Sequence, residues 1–253
     1  MSRLVLSDDE LLAILHQTAT AVGEALRSLR DWGPAGTVDG QYRHDLVADA
    51  AALEVLRSAG LGVVSEESGD HAGDAAVVVL LDPVDGSTNA SRGIPWFNTS
   101  VCALDPQGAR AAVVVNQVNG ARFEATRGGG ARCDGVPIAP SGCTDLAEAV
   151  VGLNGYPSRH LGWKQYRALG SAALDLCAVA AGILDGYVDC TTDGHAPWDY
   201  LGGMLVCREA GAVVEDAAHR ELVTARHADR RIPVAAATPA LFAALLQARR
   251  KIG

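Results

Sequence analysis

The chain has 253 residues, of which 49% are hydrophobic and 20% are charged, and its formal net charge is -9. These proportions are typical of a globular protein with a full hydrophobic core. The acidic balance argues against a nucleic-acid-binding protein, because such binding depends on basic side chains that neutralise phosphates. It is compatible with a small phosphorylated substrate if metal ions supply the positive charge.

Six cysteines are scattered through the chain without a Cys-x-x-Cys pair. This spacing favours free thiols in a reducing compartment over a disulfide framework. The N-terminal Met1-Ser2-Arg3 leads into the acidic Asp8-Asp9-Glu10, which is unlike a secretory signal peptide. No apolar run approaches the roughly 20 residues of a membrane span. We therefore expect a cytoplasmic protein that binds neither a membrane nor nucleic acid.

The first part of the chain predicts two helices and then a series of strands. Ser7-Asp8-Asp9-Glu10 is a capping box, and apolar residues at helical spacing follow it as far as Leu29, before Pro34 and Gly36 stop the helix. A second helix is predicted over 45–57. Consecutive strands with tight turns predict an antiparallel sheet. The predicted strands cover 61–64, a segment ending at 81, and then 98–104, 111–118 and 121–126.

Strands and helices alternate after about residue 145, which indicates an α/β half. The predicted strands cover 150–153, 186–189, 212–215 and 233–237. The predicted helices cover 171–184, 198–210 and 239–249. A soft boundary near Pro140-Ser141-Gly142 predicts an N-terminal α+β domain over 1–140 and a C-terminal α/β domain over 141–253.

The stretch Asp82-Pro83-Val84-Asp85-Gly86-Ser87-Thr88-Asn89 carries the most chemical information. It follows an apolar run, so two carboxylates three residues apart stand where a buried strand should end. Carboxylates bind hard cations such as Mg²⁺. The Gly-Ser-Thr turn that follows offers backbone N–H groups, which bind phosphate at the start of a helix. One octapeptide thus offers both halves of a metal-assisted phosphate site.

Other acids stand at the ends of predicted elements: Asp49 on the second helix, Glu66 and Glu67 after a strand, and Asp199 after Pro197-Trp198. Each of them alone could be a helix cap or a solvated loop residue. Gathering them would cost several kcal/mol for each uncompensated buried charge, so a cluster requires cations. The seven histidines show no metal-ligand spacing, and we expect His195 at most to line a pocket.

Three motifs carry a resemblance to a known family: Glu66-Glu67-Ser68, the octapeptide at Asp82, and Trp198-Asp199-Tyr200-Leu201-Gly202-Gly203. In this order they resemble the inositol monophosphatase family of Mg²⁺-dependent, lithium-sensitive phosphatases, over roughly residues 8–248. Asp45-Leu46-Val47-Ala48-Asp49 resembles a shortened form of a further motif of that family. The resemblance implies an α+β fold, a layered αβαβα sandwich with an antiparallel N-terminal sheet and a smaller α/β C-terminal half. It also implies a homodimer.

The resemblance implies two or three Mg²⁺ ions in each site. Glu66, Asp82 and the backbone carbonyl of Val84 would hold one ion. Asp82, Asp85 and Asp199 would hold a second ion, and Glu66 would help to hold a third, weaker one.

The resemblance also implies catalytic and substrate-binding roles. Asp49 and Ser87 would form a dyad that, with Glu66, orients and deprotonates the attacking water. The remaining residues would bind the substrate: the backbone N–H groups of Gly86, Ser87 and Thr88 its phosphate, and Gly170, Ser171, Ala172 and Asp189 its hydroxyl groups.

The implied activity is hydrolysis of a small polyol or sugar phosphate, with inositol monophosphate as the first expected substrate. Histidinol phosphate, fructose 1,6-bisphosphate and 3′-phosphoadenosine 5′-phosphate remain alternatives, because relatives act on them. A hypothesis of another class is a non-catalytic homologue that binds metal or phosphate as a regulator.

Overall fold

The computed structural model of the protein describes residues 6–36 and 41–252. The N-terminal Met1-Ser2-Arg3 lies outside these residues. All six cysteines lie within them and are free thiols, as the sequence predicts. None of the helices in these two ranges combines the length and the apolar character that a membrane span needs.

Two long helices open the fold, α1 (Asp8–Ser28) and α2 (Arg43–Ser58). The predicted capping box is present, since the Ser7 hydroxyl accepts from the Glu10 N–H at 3.2 Å and the Glu10 carboxylate accepts from the Ser7 N–H at 2.8 Å. α1 ends before Pro34, because Leu29 already has an extended backbone.

The first sheet has eight strands in the order β2-β1-β3-β4-β5-β6-β7-β8. The strands are β1 (Gly62–Ser65), β2 (Gly69–His71), β3 (Val78–Asp85), β4 (Asn98–Asp105), β5 (Gly108–Asn116), β6 (Arg122–Thr126), β7 (Gly130–Cys133) and β8 (Val136–Pro137). Neighbouring strands are antiparallel except β1 and β3, which are parallel. The sequence did not predict the short β2, β7 and β8. A short helix, α3 (Ser87–Arg92), follows β3.

The second sheet has five strands in the order β10-β9-β11-β13-β12. Its strands are β9 (Val150–Asn154), β10 (Gln165–Arg167), β11 (Gly186–Asp189), β12 (Val213–Asp216) and β13 (Pro233–Ala236). The helices of this half are α4 (Ala172–Ala180), α5 (Pro197–Ala210) and α6 (Pro239–Arg249). α4 ends earlier than predicted, near Gly182, whose φ of +69° is the left-handed conformation that terminates helices.

The helices and sheets alternate in five layers. α1 and α2 cover one side of the first sheet, where Leu15 and Val79 belong to one core. α4 and α5 lie between the two sheets, and Met204 of α5 shares a second core with Leu80 and Tyr187, one from each sheet. α6 covers the outer side of the second sheet. This arrangement confirms the predicted αβαβα sandwich.

The parallel pairing of β1 with β3 places the predicted acids side by side. Ser65, at the carboxyl end of β1, pairs with Leu81 in the middle of β3, so Glu66 and Asp82 follow side by side. β3 continues through Asp85 with a register shift against β4 between Asp82 and Asp85, although the sequence predicted its end at Leu81. The irregularity lets both aspartates occupy the end of one strand.

Candidate metal centre

Three acids from distant parts of the sequence meet at the end of the first sheet. Carboxylate oxygens of Glu66, Asp82 and Asp199 lie within 4.8 Å of one another. Glu66 follows β1, Asp82 lies on β3, and Asp199 lies in the first turn of α5. Oxygen donors at this separation can share a divalent cation, and an all-carboxylate set suits Mg²⁺.

Asp85 is fixed through one of its two carboxylate oxygens. Its Oδ2 accepts hydrogen bonds from Asn98 Nδ2 at 2.8 Å, Ser171 Oγ at 2.8 Å and the Ala173 N–H at 2.9 Å. Its Oδ1 makes no hydrogen bond to the described residues and can serve as a metal ligand. Two of the three donors lie at the start of α4, so the C-terminal half of the chain orients an acid of the N-terminal half.

Asp199 is held in the same way, with one oxygen occupied. Its Oδ2 accepts from the Ala196 N–H at 2.9 Å and lies 3.2 Å from His195 Nδ1. The other ring nitrogen of His195 lies 2.8 Å from the Tyr187 hydroxyl. Such partners behind a metal ligand fix its orientation. The sequence predicted that His195 at most lines the pocket, and this prediction missed the contact of His195 with Asp199. The only signal of that contact in the sequence is that the two residues are four positions apart at the start of a helix.

The acids of this site repel one another; Asp82 and Asp85 are buried, Asp199 is half-buried and Glu66 is exposed. Burial, followed by the charges of neighbouring acids, raises the pKa values of Glu66 and Asp82 well above their ordinary values. Burial and then the charge of Asp199 raise the pKa of Asp85 to about 6, although three hydrogen bonds oppose the rise. Solvent still reaches the side chain of Glu66.

The ion pairs of the described residues leave Glu66, Asp82 and Asp85 without a basic partner. Buried charges without a partner of opposite sign lower the stability of the fold. The donor set and its charge therefore fit metal ions.

The hydroxyl of Ser87 pairs with Asp45, not with Asp49 as the sequence predicted. Ser87 Oγ lies 2.8 Å from Asp45 Oδ1 and also 2.8 Å from the Val84 carbonyl oxygen. Asp49, one turn further along α2, instead accepts a hydrogen bond from the Ser65 hydroxyl. The predicted pair of Asp49 with Ser87 is not formed.

The first turn of α2 explains the difference. Asp45 Oδ2 accepts from the Tyr42 N–H at 2.9 Å as a helix cap, which turns its carboxylate towards the N-terminal end of the helix, where Ser87 lies. Burial raises the pKa of Asp45, and the hydrogen bonds from Tyr42 and Ser87 and the nearby His44 oppose that rise. Asp45 and Asp49 share one helix face because they are four residues apart, and the prediction placed the wrong one of them beside Ser87.

The predicted phosphate loop begins at Gly86, whose φ of +93° suits glycine. A Cβ here would lie 3.1 Å from the Trp96 carbonyl oxygen and 3.2 Å from that of Gly170. The N–H groups of Ser87 and Thr88 open α3 and have no acceptor within the helix. The Val84 carbonyl oxygen, a predicted metal ligand, lies 2.8 Å from Ser87 Oγ and keeps a lone pair for a metal ion.

The predicted substrate residues fall into two groups. Gly170, Ser171 and Ala172 form the turn into α4 beside Asp85, although the Ser171 hydroxyl is engaged by Asp85. Asp189 is 0% exposed, so it does not reach a substrate in this structure.

Three hydrogen bonds at 2.8–3.0 Å converge on Asp189 Oδ1, from Asn154 Nδ2 and from the N–H and hydroxyl of Thr191. The sequence predicted a carboxylate that grips a substrate hydroxyl. The neighbouring strand and the following loop enclose that carboxylate instead, and Oδ2 is buried 3.8 Å from His195 Nε2.

Known proteins match most of the chain. The profile described as the inositol monophosphatase family matches residues 7–253. An inositol-1-monophosphatase of Mesorhizobium japonicum is 34% identical over 235 residues, 81% of this chain and 85% of that protein. The Nus factor SuhB of Salmonella typhimurium (strain 14028s / SGSC 2262) is 34% identical over 193 residues, 68% of this chain and 70% of that protein.

Solved structures show the same fold. A hypothetical protein from Pyrococcus horikoshii, described as having similarities to inositol-1 monophosphatase, has a TM-score of 0.87 at 24% identity and covers 96% of this chain and 99% of its own. Together with the acid cluster, the fold and the sequence matches are those of a family of metal-dependent phosphatases. The chain belongs to the inositol monophosphatase family.

Proposed function

We propose that this protein is a Mg²⁺-dependent phosphomonoesterase that hydrolyses a small polyol or sugar phosphate. The observation that carries the proposal is the cluster of carboxylates from Glu66, Asp82 and Asp199, next to the N–H groups that open α3; among these three acids, the ion pairs of the described residues give a basic partner, His195, only to Asp199. A cation-requiring cluster beside a phosphate-binding helix start suits phosphoryl transfer, which depends on positioning and charge neutralisation.

The metal ligands would be oxygen atoms only. Glu66, Asp82 and the Val84 carbonyl would hold one ion, and Asp82, Asp85 and Asp199 a second, with Glu66 assisting a third. When bound, Mg²⁺ supplies electrostatic polarisation of the phosphoryl group and lowers the pKa of a coordinated water. The occupied Oδ2 atoms of Asp85 and Asp199 leave the Oδ1 atoms for this purpose.

The chain's own residues would position the water and the phosphate. Ser87 Oγ accepts a proton from the attacking water while its own proton passes to Asp45 Oδ1, 2.8 Å away. Glu66 orients the same water from the other side. The N–H groups of Gly86, Ser87 and Thr88 hold the phosphate oxygens. We thus assign the proton acceptor to Asp45 in place of Asp49.

The name of the Mesorhizobium japonicum relative, inositol-1-monophosphatase, supports inositol monophosphate as the first substrate to test. Histidinol phosphate, fructose 1,6-bisphosphate and 3′-phosphoadenosine 5′-phosphate complete the panel. Phosphate release is measured with Mg²⁺ and with EDTA. We expect Mg²⁺-dependent turnover of one member, and absence of turnover on all of them would refute the enzymatic proposal.

The proposal also covers the domain division, the oligomeric state and the cellular location of the protein. We propose a division into domains 1–140 and 141–253, and the hydrogen bond from Ser171 to Asp85 supports a site at their junction. The family resemblance supports a homodimer, which sedimentation would test. The free thiols support a cytoplasmic location.

A regulatory role is the second candidate. The relatives named Nus factor SuhB favour it, since that name is not the name of a phosphatase. A regulator without catalysis would bind Mg²⁺ or phosphate and release no phosphate from any substrate, so the same panel, combined with calorimetric Mg²⁺ binding, separates the two functions.

A further inference from the structure

One buried carboxyl lies outside the metal cluster and is not used by the proposed mechanism. Asp175 lies on α4 and is 1% exposed. Its Oδ1 accepts a hydrogen bond from the indole N–H of Trp96 at 2.9 Å. Trp96 precedes β4 and is half-buried, so this bond joins two segments that are distant in sequence.

Trp96 is also attached to the phosphate loop through its backbone. Its carbonyl accepts from Asn89 Nδ2 of α3 at 2.7 Å, and the same amide donates to the Leu169 carbonyl at 2.7 Å. The Trp96 carbonyl also packs against Gly86, where a Cβ would lie 3.1 Å away. Any movement of Trp96 therefore moves the start of α3.

Asp175 is connected in turn to the metal ligand Asp85. The Asp175 N–H donates to the Ser171 carbonyl at 3.0 Å in the first turn of α4. The Ser171 hydroxyl and the Ala173 N–H both donate to Asp85 Oδ2. The first turn of α4 thus contains both Asp175 and the donors to Asp85.

We propose that Asp175 and Trp96 are positioning residues whose hydrogen bond holds the phosphate loop and the first turn of α4 in register, and so sets the orientation of Asp85 towards Mg²⁺. The inference rests on the proposed metal-dependent function. A carboxyl that only fills the core would contribute to stability and leave Mg²⁺ affinity unchanged.

The chemical state of Asp175 suggests a matched pair of variants. Burial raises the pKa of Asp175 to about 8, with the hydrogen bond from Trp96 opposing the rise and the charge of Asp85 adding to it. The side chain is therefore a neutral acid at pH 7, which asparagine copies in size and in its acceptor oxygen. Asp175→Asn keeps the acceptor for Trp96, and Asp175→Ala removes it.

The test measures Mg²⁺ affinity by titration calorimetry, in the absence of substrate, at pH 7. We expect Asp175→Ala to weaken Mg²⁺ binding by about tenfold, as is usual for residues behind a metal ligand. Asp175→Asn should bind Mg²⁺ with an affinity within about twofold of that of the wild type. Trp96→Phe removes the donor from the other side, and it should weaken binding as much as Asp175→Ala.

Two comparisons make the result specific. The double variant Trp96→Phe/Asp175→Ala should be no worse than either single variant, because both remove one interaction. Asp185→Ala is the matched control. Asp185 lies directly before β11, at the opposite end of that strand from Asp189, and its carboxylate accepts a hydrogen bond from the Val150 N–H at 2.8 Å. The substitution should lower the Tm without changing Mg²⁺ affinity.

Three results would overturn the inference: unchanged Mg²⁺ affinity in a folded Asp175→Ala protein, additive losses in the double variant, or an Asp175→Asn protein as weak as Asp175→Ala. If Asp175→Ala does not fold, Trp96→Phe with wild-type affinity is the overturning result. Failure of the wild type to bind Mg²⁺ would be a different outcome, since it would refute the proposed function itself.

Discussion

Ser87 Oγ lies 2.8 Å from Asp45 Oδ1, so the start of α3 is hydrogen-bonded to the first turn of α2. The same hydroxyl lies 2.8 Å from the Val84 carbonyl. One side chain therefore links the proposed proton acceptor, a proposed metal ligand and the phosphate loop. This arrangement favours Asp45 as the proton acceptor, whereas the sequence predicted Asp49.

The first prediction separates these aspartates. Asp45→Asn removes the charge that accepts the proton from Ser87, and general-base catalysis typically contributes about 10²–10⁴-fold. We expect kcat to fall within that range with little change in KM. Asp49→Asn is the control, because asparagine can still accept the hydrogen bond from Ser65. A larger loss of kcat in Asp49→Asn than in Asp45→Asn would contradict the reassignment.

The second prediction concerns Asp85. Asp85→Asn keeps an oxygen for the donors at the start of α4 and removes one negative charge from the metal cluster. We expect kcat to fall by orders of magnitude and Mg²⁺ affinity to fall as well, while far-UV circular dichroism stays that of the wild type. Near-wild-type turnover would mean that the metal is bound elsewhere.

The third prediction is the pH dependence of stability without metal. A carboxyl whose pKa is raised by folding stabilises the protein below its unfolded pKa, and this contribution is lost as the pH rises through the folded pKa. For Asp85 the pKa rises from 3.8 to about 6. Each unit of such a shift corresponds to about 1.4 kcal/mol. The metal-free protein should therefore lose stability across this window, and Glu66 and Asp82 extend the loss to higher pH.

Thermal unfolding in EDTA tests this prediction when the wild type is compared with Asp85→Asn. The Tm of the variant should exceed that of the wild type by an amount that grows as the pH rises from about 4 to 7. Mg²⁺ should raise the wild-type Tm, and more so at the upper end of the range, because protons compete with the metal. A Tm difference that is constant across the range would argue against a strained carboxylate at this position.

The fourth prediction concerns His195 behind Asp199. His195→Phe removes one of the two partners of Asp199 Oδ2, leaving the Ala196 N–H, and should weaken Mg²⁺ affinity or activity about 10–100-fold. Tyr187→Phe removes only the hydroxyl on the far side of the ring and should have a smaller effect. Equal effects of the two substitutions on Mg²⁺ affinity would show that His195 does not act through Asp199.

The sequence predicted most of the helices and strands and most of the acids, because apolar periodicity and acids at strand ends are local signals, whereas the layers were implied by the family resemblance. It predicted Asp49 as the partner of Ser87, but the partner is Asp45; both aspartates lie on one helix face, and only the packing of α2 chooses between them. It also placed the end of the strand at Leu81, whereas β3 continues through Asp85. Pairing with β4 continues the strand past Pro83, and a strand pairing is a tertiary contact.

Buried polar contacts were the hardest features to predict. Asp189 looked like a solvated strand end that could face a substrate, but Asn154 on the neighbouring strand and Thr191 enclose it. The contact between Asp175 and Trp96 joins residues 79 positions apart, and no spacing in the sequence marks it. Such contacts depend on how the two sheets and α4 come together.

The central claim is that the acids around Asp82 form a metal site that hydrolyses phosphomonoesters. The most direct measurement is phosphate release from inositol 1-phosphate and the rest of the panel, with the wild type and Asp82→Asn compared across a Mg²⁺ titration. We predict that EDTA abolishes the wild-type activity, that Mg²⁺ restores it, and that Asp82→Asn is inactive at every Mg²⁺ concentration while remaining folded. Hydrolysis that persists in EDTA, or equal activity in Asp82→Asn, would contradict the account.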